Sequence, residues 1–165
     1  MSLIKFFANQ LEEEAVSTRK MLAIVPDDKY DWQPHPKSMT IRALTTHVAE
    51  IPGWIGSVME NDVLDFAKTP YNPKVINNTS ELLAHFDECA AKGKAVLVDA
   101  NESRLNSRWV LREGHVVYMD LSKAEAIRHS LSQLIHHRAQ LGVFLRLLNI
   151  PIPGVYGPSA DEMGK

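Results

Sequence analysis

The sequence predicts an all-α fold: a four-helix bundle with long connections, and a short hairpin or extended cover ahead of the last helix. Three observations carry this. Four stretches repeat apolar residues in steps of three and four, the period that keeps one face of an α-helix toward a core. The segments between them are too rich in proline, glycine and asparagine for regular structure. Ser122 with Glu125 marks the start of the longest stretch as a capping box, in which the two side chains satisfy otherwise orphan N–H groups. The 165 residues, 1–165, read as one domain large enough to bury a core.

Residues 2–24 form the first predicted helix. Leu3, Phe6 or Phe7, Leu11, Ala15, Thr18 and Leu22 keep the step, Ser2 caps the start and Pro26 ends it. Glu12 to Glu14, then Arg19 and Lys20, suit the helix dipole on the solvated side. Residues 26–39 read as a loop packed by Tyr30 and Trp32, with His35 exposed between two prolines.

The second helix runs from Thr40 to about Met59 on a stripe of Ile41, Leu44, Val48, Ile51, Ile55 and Val58. His47 lies on the flank of that stripe, and Glu50, one turn on, can face the same space. Pro52 removes the N–H that would reach the Val48 carbonyl, so a kink or widening is expected near His47.

Residues 60–78 read as a long polar connection. A third helix starts at Thr79 or Ser80 and runs to about Asp99, weakened by up to ~1 kcal/mol at Gly93. His85 is expected on its outer half. Residues 107–121 break the helical pattern with strand-like runs on both sides of Arg112-Glu113-Gly114-His115. The last helix, Ser122 to Leu148, carries Ile127, Leu131, Leu134, Leu141, Leu145 and Leu148, and residues 149–165 form an irregular arm on the surface. Up-down connectivity is the default for such a set, though the long connections permit crossovers.

The composition narrows the function. A net charge of −2 with scattered basic residues offers no surface for nucleic acid or an anionic membrane. No stretch approaches the ~20 apolar residues of a membrane span, and no signal peptide is visible. The single cysteine, Cys89, excludes an internal disulfide and a cysteine-based zinc site, and suits a reducing cytoplasm. Cys89 itself reads as a small core residue. Glycine-rich phosphate loops, G-x-S-x-G and H-E-x-x-H are all absent.

Chemistry concentrates on two helices. His47 and His137 each flank an apolar stripe, and bundle interiors are where such folds build metal sites. Gln133 and His137 stand one above the other at i and i+4, as do His129 and Gln133. His136 points ~100° away from His137, so one helix cannot easily aim both at one ion. The plainer assignment of each ring is a hydrogen-bonded structural histidine. Arg138 interrupts the stripe of the last helix and, if buried, needs a carboxylate or carbonyls, within the fold or across a subunit interface.

The segments TIRALTTHVAEIPGW and LIHHRAQLGVFLRLLNIPIPGVYGPSADE resemble the DinB-like superfamily, and the resemblance extends over essentially the whole chain. It implies a four-helix bundle, a homodimer, and a divalent metal, zinc or nickel, held by one histidine of the second helix and two of the last. On that pattern the ligands are His47, Gln133 and His137. A histidine is usual where Gln133 stands, so the glutamine ligates through its amide oxygen, gives way to water, His129 or His136, or leaves a degenerate site. The resemblance further implies transfer of a small thiol or hydrolysis of a small-molecule substrate, with Glu50 as the assisting carboxylate. The alternative is a non-catalytic dimeric bundle that binds a small molecule or a partner.

Overall fold

A computed structural model describes residues 1–164. Lys165, the end of the predicted arm, lies outside the described residues. Among them, four α-helices span Leu3–Leu22 (α1), Ile41–Glu60 (α2), Thr79–Val96 (α3) and Lys123–Leu147 (α4). Three strands span Val63–Asp65 (β1), Arg108–Glu113 (β2) and Val116–Ser122 (β3). The chain is therefore mostly helical but not all-α. β2 and β3 form an antiparallel hairpin, and β1 adds to β2 in parallel, so the sheet order is β1-β2-β3. The hairpin turns on Gly114 and His115, with a positive φ of 57° at Gly114 alone. That is the pattern of a type II′ turn, which places glycine first.

The helix starts are local. Ser2, Thr40, Asn78 and Ser122 each accept a backbone N–H three residues on, and Ser122 with Glu125 completes the capping box. The predicted stripe of α2 is buried throughout. That of α1 is buried from Phe7 through Leu11, Ala15, Thr18 and Leu22, and departs only at its first position, where Ile4 is buried and Leu3, like Phe6, faces outward.

The arrangement of helices departs from up-down order. α2 packs on α3 and α4, and α1 packs on the same two, while α1 and α2 hardly touch. α1 and α2 thus lie diagonally, as do α3 and α4, while α2 and α3 are direct neighbours, and the long connections after α1 and α3 cross over an end of the helical core. The core divides in two along its length. One part gathers Leu22, Leu44, Val48, Phe86, Leu134 and Leu141; the other gathers Phe7, Ile55, Val58, Trp109, Ile127 and Leu131 beneath the sheet.

Two contacts set how α2 meets its neighbours. Toward α3, Gly53 and Gly56 lie against Cys89 and Lys92, and a Cβ on Gly93 would stand 2.3 Å from the Pro52 carbonyl oxygen. Gly93 therefore permits the approach of two backbones, a role its cost in helix propensity does not reveal. Toward α4, the buried Lys123 donates to the carbonyls of Met59 (3.2 Å) and Asn61 (2.9 Å) and pairs with Asp62. A cation at the C-terminus of α2 meets its unpaired carbonyls and its dipole. This contact fixes α2 and α4 antiparallel, with the end of one at the start of the other.

Helix propensity alone predicts that Gly93→Ala stabilises the protein by about 1 kcal/mol. The close approach predicts the opposite, a loss of about 1–3 kcal/mol as the backbones are forced apart. Urea denaturation of the two proteins distinguishes these signs, and a more stable Gly93→Ala variant would refute the close-packing account.

Candidate functional site

The antiparallel register brings His47 of α2 against His137 of α4. Their ring centroids are 4.6 Å apart with planes at 83°. Trp54, two turns along α2, meets the His47 ring edge-to-face at 5.1 Å. His136 lies beside His137 at 4.8 Å but is exposed to solvent. His129 is two turns from His137 and lines a separate apolar cavity.

Both ring nitrogens of His137 are engaged. Nε2 is 2.8 Å from the side-chain oxygen of Gln133, and Nδ1 is 2.9 Å from that of Gln140. A neutral imidazole donates from one nitrogen and accepts at the other. The neutral ring therefore needs one of the two amides to present its NH2, whereas an imidazolium donates to both oxygens. The two glutamines, one turn before and one turn after His137, hold the ring from both sides. Burial pushes the His47 imidazole down to about 4, with the neighbouring His137 adding to the effect. His47 is thus a neutral ring near pH 7.

Glu50 does not turn toward His47. Its carboxylate accepts a 2.7 Å hydrogen bond from the Tyr71 hydroxyl and lies 3.8 Å from His85 Nε2. Burial, then the Glu50 carboxylate, raises the Tyr71 pKa, so the phenol remains a donor. Burial and Lys74 lower that of His85, outweighing Glu50. His85 is consequently a half-buried group facing α2, not an outer residue of α3. Its ring stands 4.0 Å from Cys89 Sγ, and burial raises the pKa of that thiol. Cys89 sits in the α2–α3 contact as a protonated packing residue.

Among the described residues, no group of three histidine, cysteine, aspartate or glutamate side chains is placed to hold a metal ion. The predicted donors that come together are His47 and His137, with Gln133 on the latter. Sequence reasoning missed Tyr71, Trp54, His85 and Gln140 as their neighbours. Gln140 was legible as the i+3 partner of His137, and Trp54 as lying two turns from His47. Tyr71 belongs to an irregular segment whose course no periodicity records.

The DinB family model matches residues 1–164, and the chain belongs to the DinB family. It is 21% identical over 159 residues to the uncharacterized protein YrdA of Bacillus subtilis, covering 96% of this chain and 91% of that one. Its fold is similar to that of a DinB-like protein from Bacillus cereus, with a TM-score of 0.69 and 18% identity over 91% of this chain and 95% of the other. YjoA, a DinB-like protein of Bacillus subtilis, gives a TM-score of 0.69 and 15% identity, covering 90% of this chain and 96% of that one. Identities this low speak for the fold alone.

The depressed pKa of His47 has a consequence for stability. The unfolded ring protonates near 6.5 and the folded ring near 4. The contribution of the neutral ring is complete above pH 6.5 and is lost as the pH falls to 4, because the unfolded state binds the extra proton. Urea midpoints measured in EDTA should therefore fall across this window, less steeply for His47→Gln. His85, shifted in the same direction, retains part of the slope. An unaltered slope in His47→Gln contradicts the assignment.

Proposed function

We propose that this protein is a metal-dependent enzyme acting on a small molecule at the cleft between α2 and α4, with the four helices serving as a four-helix-bundle scaffold. In this reading a divalent ion, zinc or nickel, is held by His47 and His137 and completed by the amide oxygen of Gln133. The observation that carries it is the meeting of the two imidazoles at 4.6 Å, with the Gln133 oxygen 2.8 Å from His137 Nε2. The donor set fits such ions in kind. Neutral imidazole suits zinc and nickel, and an amide oxygen is a weaker ligand. Loading through Nε2 requires the Gln133 amide to give up its hydrogen bond.

A bound divalent ion with an open position would supply a more acidic thiol or water, the nucleophile for thiol transfer or hydrolysis. The chain's own residues do the rest. Glu50 is the assisting carboxylate of this reading: one oxygen accepts from Tyr71 and the other faces His85 at 3.8 Å, so it must turn from His85 to take a proton from substrate. His47 remains neutral and does not repel the ion. We further place the protein in the cytoplasm, consistent with its single cysteine, as a homodimer. Exposed Phe6 and Val16 on α1 and Val143 and Leu147 on α4 supply apolar surface for the pairing.

The second reading, a non-catalytic dimeric bundle, draws support from His137. Gln133 and Gln140 already satisfy its two nitrogens, so the ring needs no ion.

Purification without added metal, followed by elemental analysis and calorimetric titration with zinc and nickel, separates the two. The enzyme reading predicts about one ion per chain, lost in His47→Ala. It also predicts at least about tenfold tighter binding by Gln133→His, where an imidazole replaces the amide. Sedimentation of the same sample checks for the dimer. Unchanged metal content in His47→Ala sinks the site, and an apo protein that rejects both ions supports the second reading.

A further inference from the structure

Residues 70–75 run beside α2 without joining a helix or the sheet. Before them, Asp65 ties the chain down. It is buried, accepts the Gly114 N–H at 3.0 Å and pairs with Arg112, while its carbonyl accepts from Lys68 and Thr69. After them, Ile76 is fully buried and its carbonyl accepts from Arg42; the Asn77 side chain accepts from the same guanidinium at 3.0 Å. Between these anchors Pro70, Tyr71, Asn72, Pro73, Lys74 and Val75 are all exposed. Among the described residues, none of them makes a backbone–backbone hydrogen bond. Their one hydrogen bond to a helix is that from Tyr71 to Glu50, at 2.7 Å.

The segment is longer than the distance it covers. Glu50 and Arg42 lie about 12 Å apart along the axis of α2. An extended chain from Tyr71 to Asn77 spans about 20 Å. The excess lets the segment lift while both anchors stay in place. Chain with few buried contacts and no backbone hydrogen bonds is where local opening costs least. Beneath the segment, the side chains of Glu50 and His85 are each only 12% exposed. Tyr71 also shares the edge of the space between α2 and α4 with Trp54, Phe66 and His129.

We infer that residues 70–75 are a lid, latched by the Tyr71–Glu50 hydrogen bond, which lifts to admit a small molecule to the α2–α4 cleft and to free Glu50. The latch is independent of the metal reading; only the use made of the freed carboxylate rests on that reading. A molecule that donates a hydrogen bond to the same Glu50 oxygen takes the place of the phenol. Occupancy of that oxygen and closure of the latch therefore exclude each other.

The test uses the full chain in EDTA and measures no activity, so a failure of the metal reading leaves it unaffected. Trypsin cutting of the Lys74–Val75 bond, followed by mass spectrometry, reads the open population. Tyr71→Phe, which keeps the ring and removes the donor, should be cut about five- to tenfold faster. Tyr118→Phe, which breaks a 2.7 Å bond of the same kind to Glu113 in the hairpin, should be cut at the native rate. A second readout is the His85 titration, followed by proton NMR with His85→Gln identifying its signal. Burial, then Lys74 of the lid, hold the His85 pKa down, while its other charged neighbours are Glu50 on α2 and Glu88 and Lys92 on α3. Lys74→Met should therefore raise the His85 pKa in the native chain, and should add nothing in Tyr71→Phe, where the lid has already lifted. Unchanged cutting in Tyr71→Phe, equal acceleration in Tyr118→Phe, or a Lys74→Met effect of the same size in both backgrounds overturns the inference.

Discussion

The interaction on which the rest depends is the buried pair of Arg138 and Glu14. Both side chains are almost wholly inaccessible, and Arg138 Nη1 lies 2.6 Å from a Glu14 carboxylate oxygen. The guanidinium also donates to the Glu14 carbonyl at 3.2 Å, to Thr18 Oγ1 at 3.1 Å and to the Tyr156 hydroxyl at 3.0 Å. Tyr156 in turn donates to the other Glu14 oxygen at 2.7 Å. One planar group with fixed donor directions thus joins α4, α1 and the C-terminal arm. Such a pair need not add net stability over an apolar replacement, but losing one partner typically costs about 3–5 kcal/mol. Its value here is geometric. A rotation of α4 by one residue, ~100°, would take the guanidinium away from all of its acceptors. With Arg138 committed to α1, the adjacent His137 is committed to α2.

That commitment combines with the Lys123 contact at the end of α2 to determine the cleft. Lys123 sets the register of α4 along α2, and Arg138 sets its rotation. Together they bring His137 to His47 without any bond between the two rings. The arm adds a second tie: Arg146 pairs with Asp161, which also accepts the Ile152 N–H at 3.0 Å. These contacts hold the Asp161 carboxyl down to about 2, so the arm stays docked across the physiological range. The cleft is polar at the histidines and apolar toward the sheet, an arrangement suited to holding a ligand's body apart from its reacting end.

The four helices were legible because each carries a long periodic stripe and a side-chain cap, and both are local signals. The hairpin was legible from its alternating runs around Gly114. β1 was not: three residues, Val63–Asp65, gain strand character only by pairing with β2 more than forty residues away. The order of helices was equally hidden, since it depends on non-local packing such as the Pro52–Gly93 approach. His47 and His137 could be nominated from their flank positions, but their meeting could not, because no pattern spans two helices. Buried Arg138 announced its need for a carboxylate, yet Glu14 lay within a run of three glutamates that read as solvated. Trp109 read as packing, and it is buried beneath the sheet with its indole N–H unpartnered.

The central claim is that the Arg138 pair sets α4 so that His137 and its surroundings bury His47. Titration of the His47 ring by proton NMR, in the native chain and in Arg138→Met combined with Glu14→Gln, tests it directly. The account predicts a His47 pKa near 4 in the native chain and a return toward 6.5, the ordinary histidine value, in the double variant. A folded double variant in which His47 still titrates near 4 would contradict the claim.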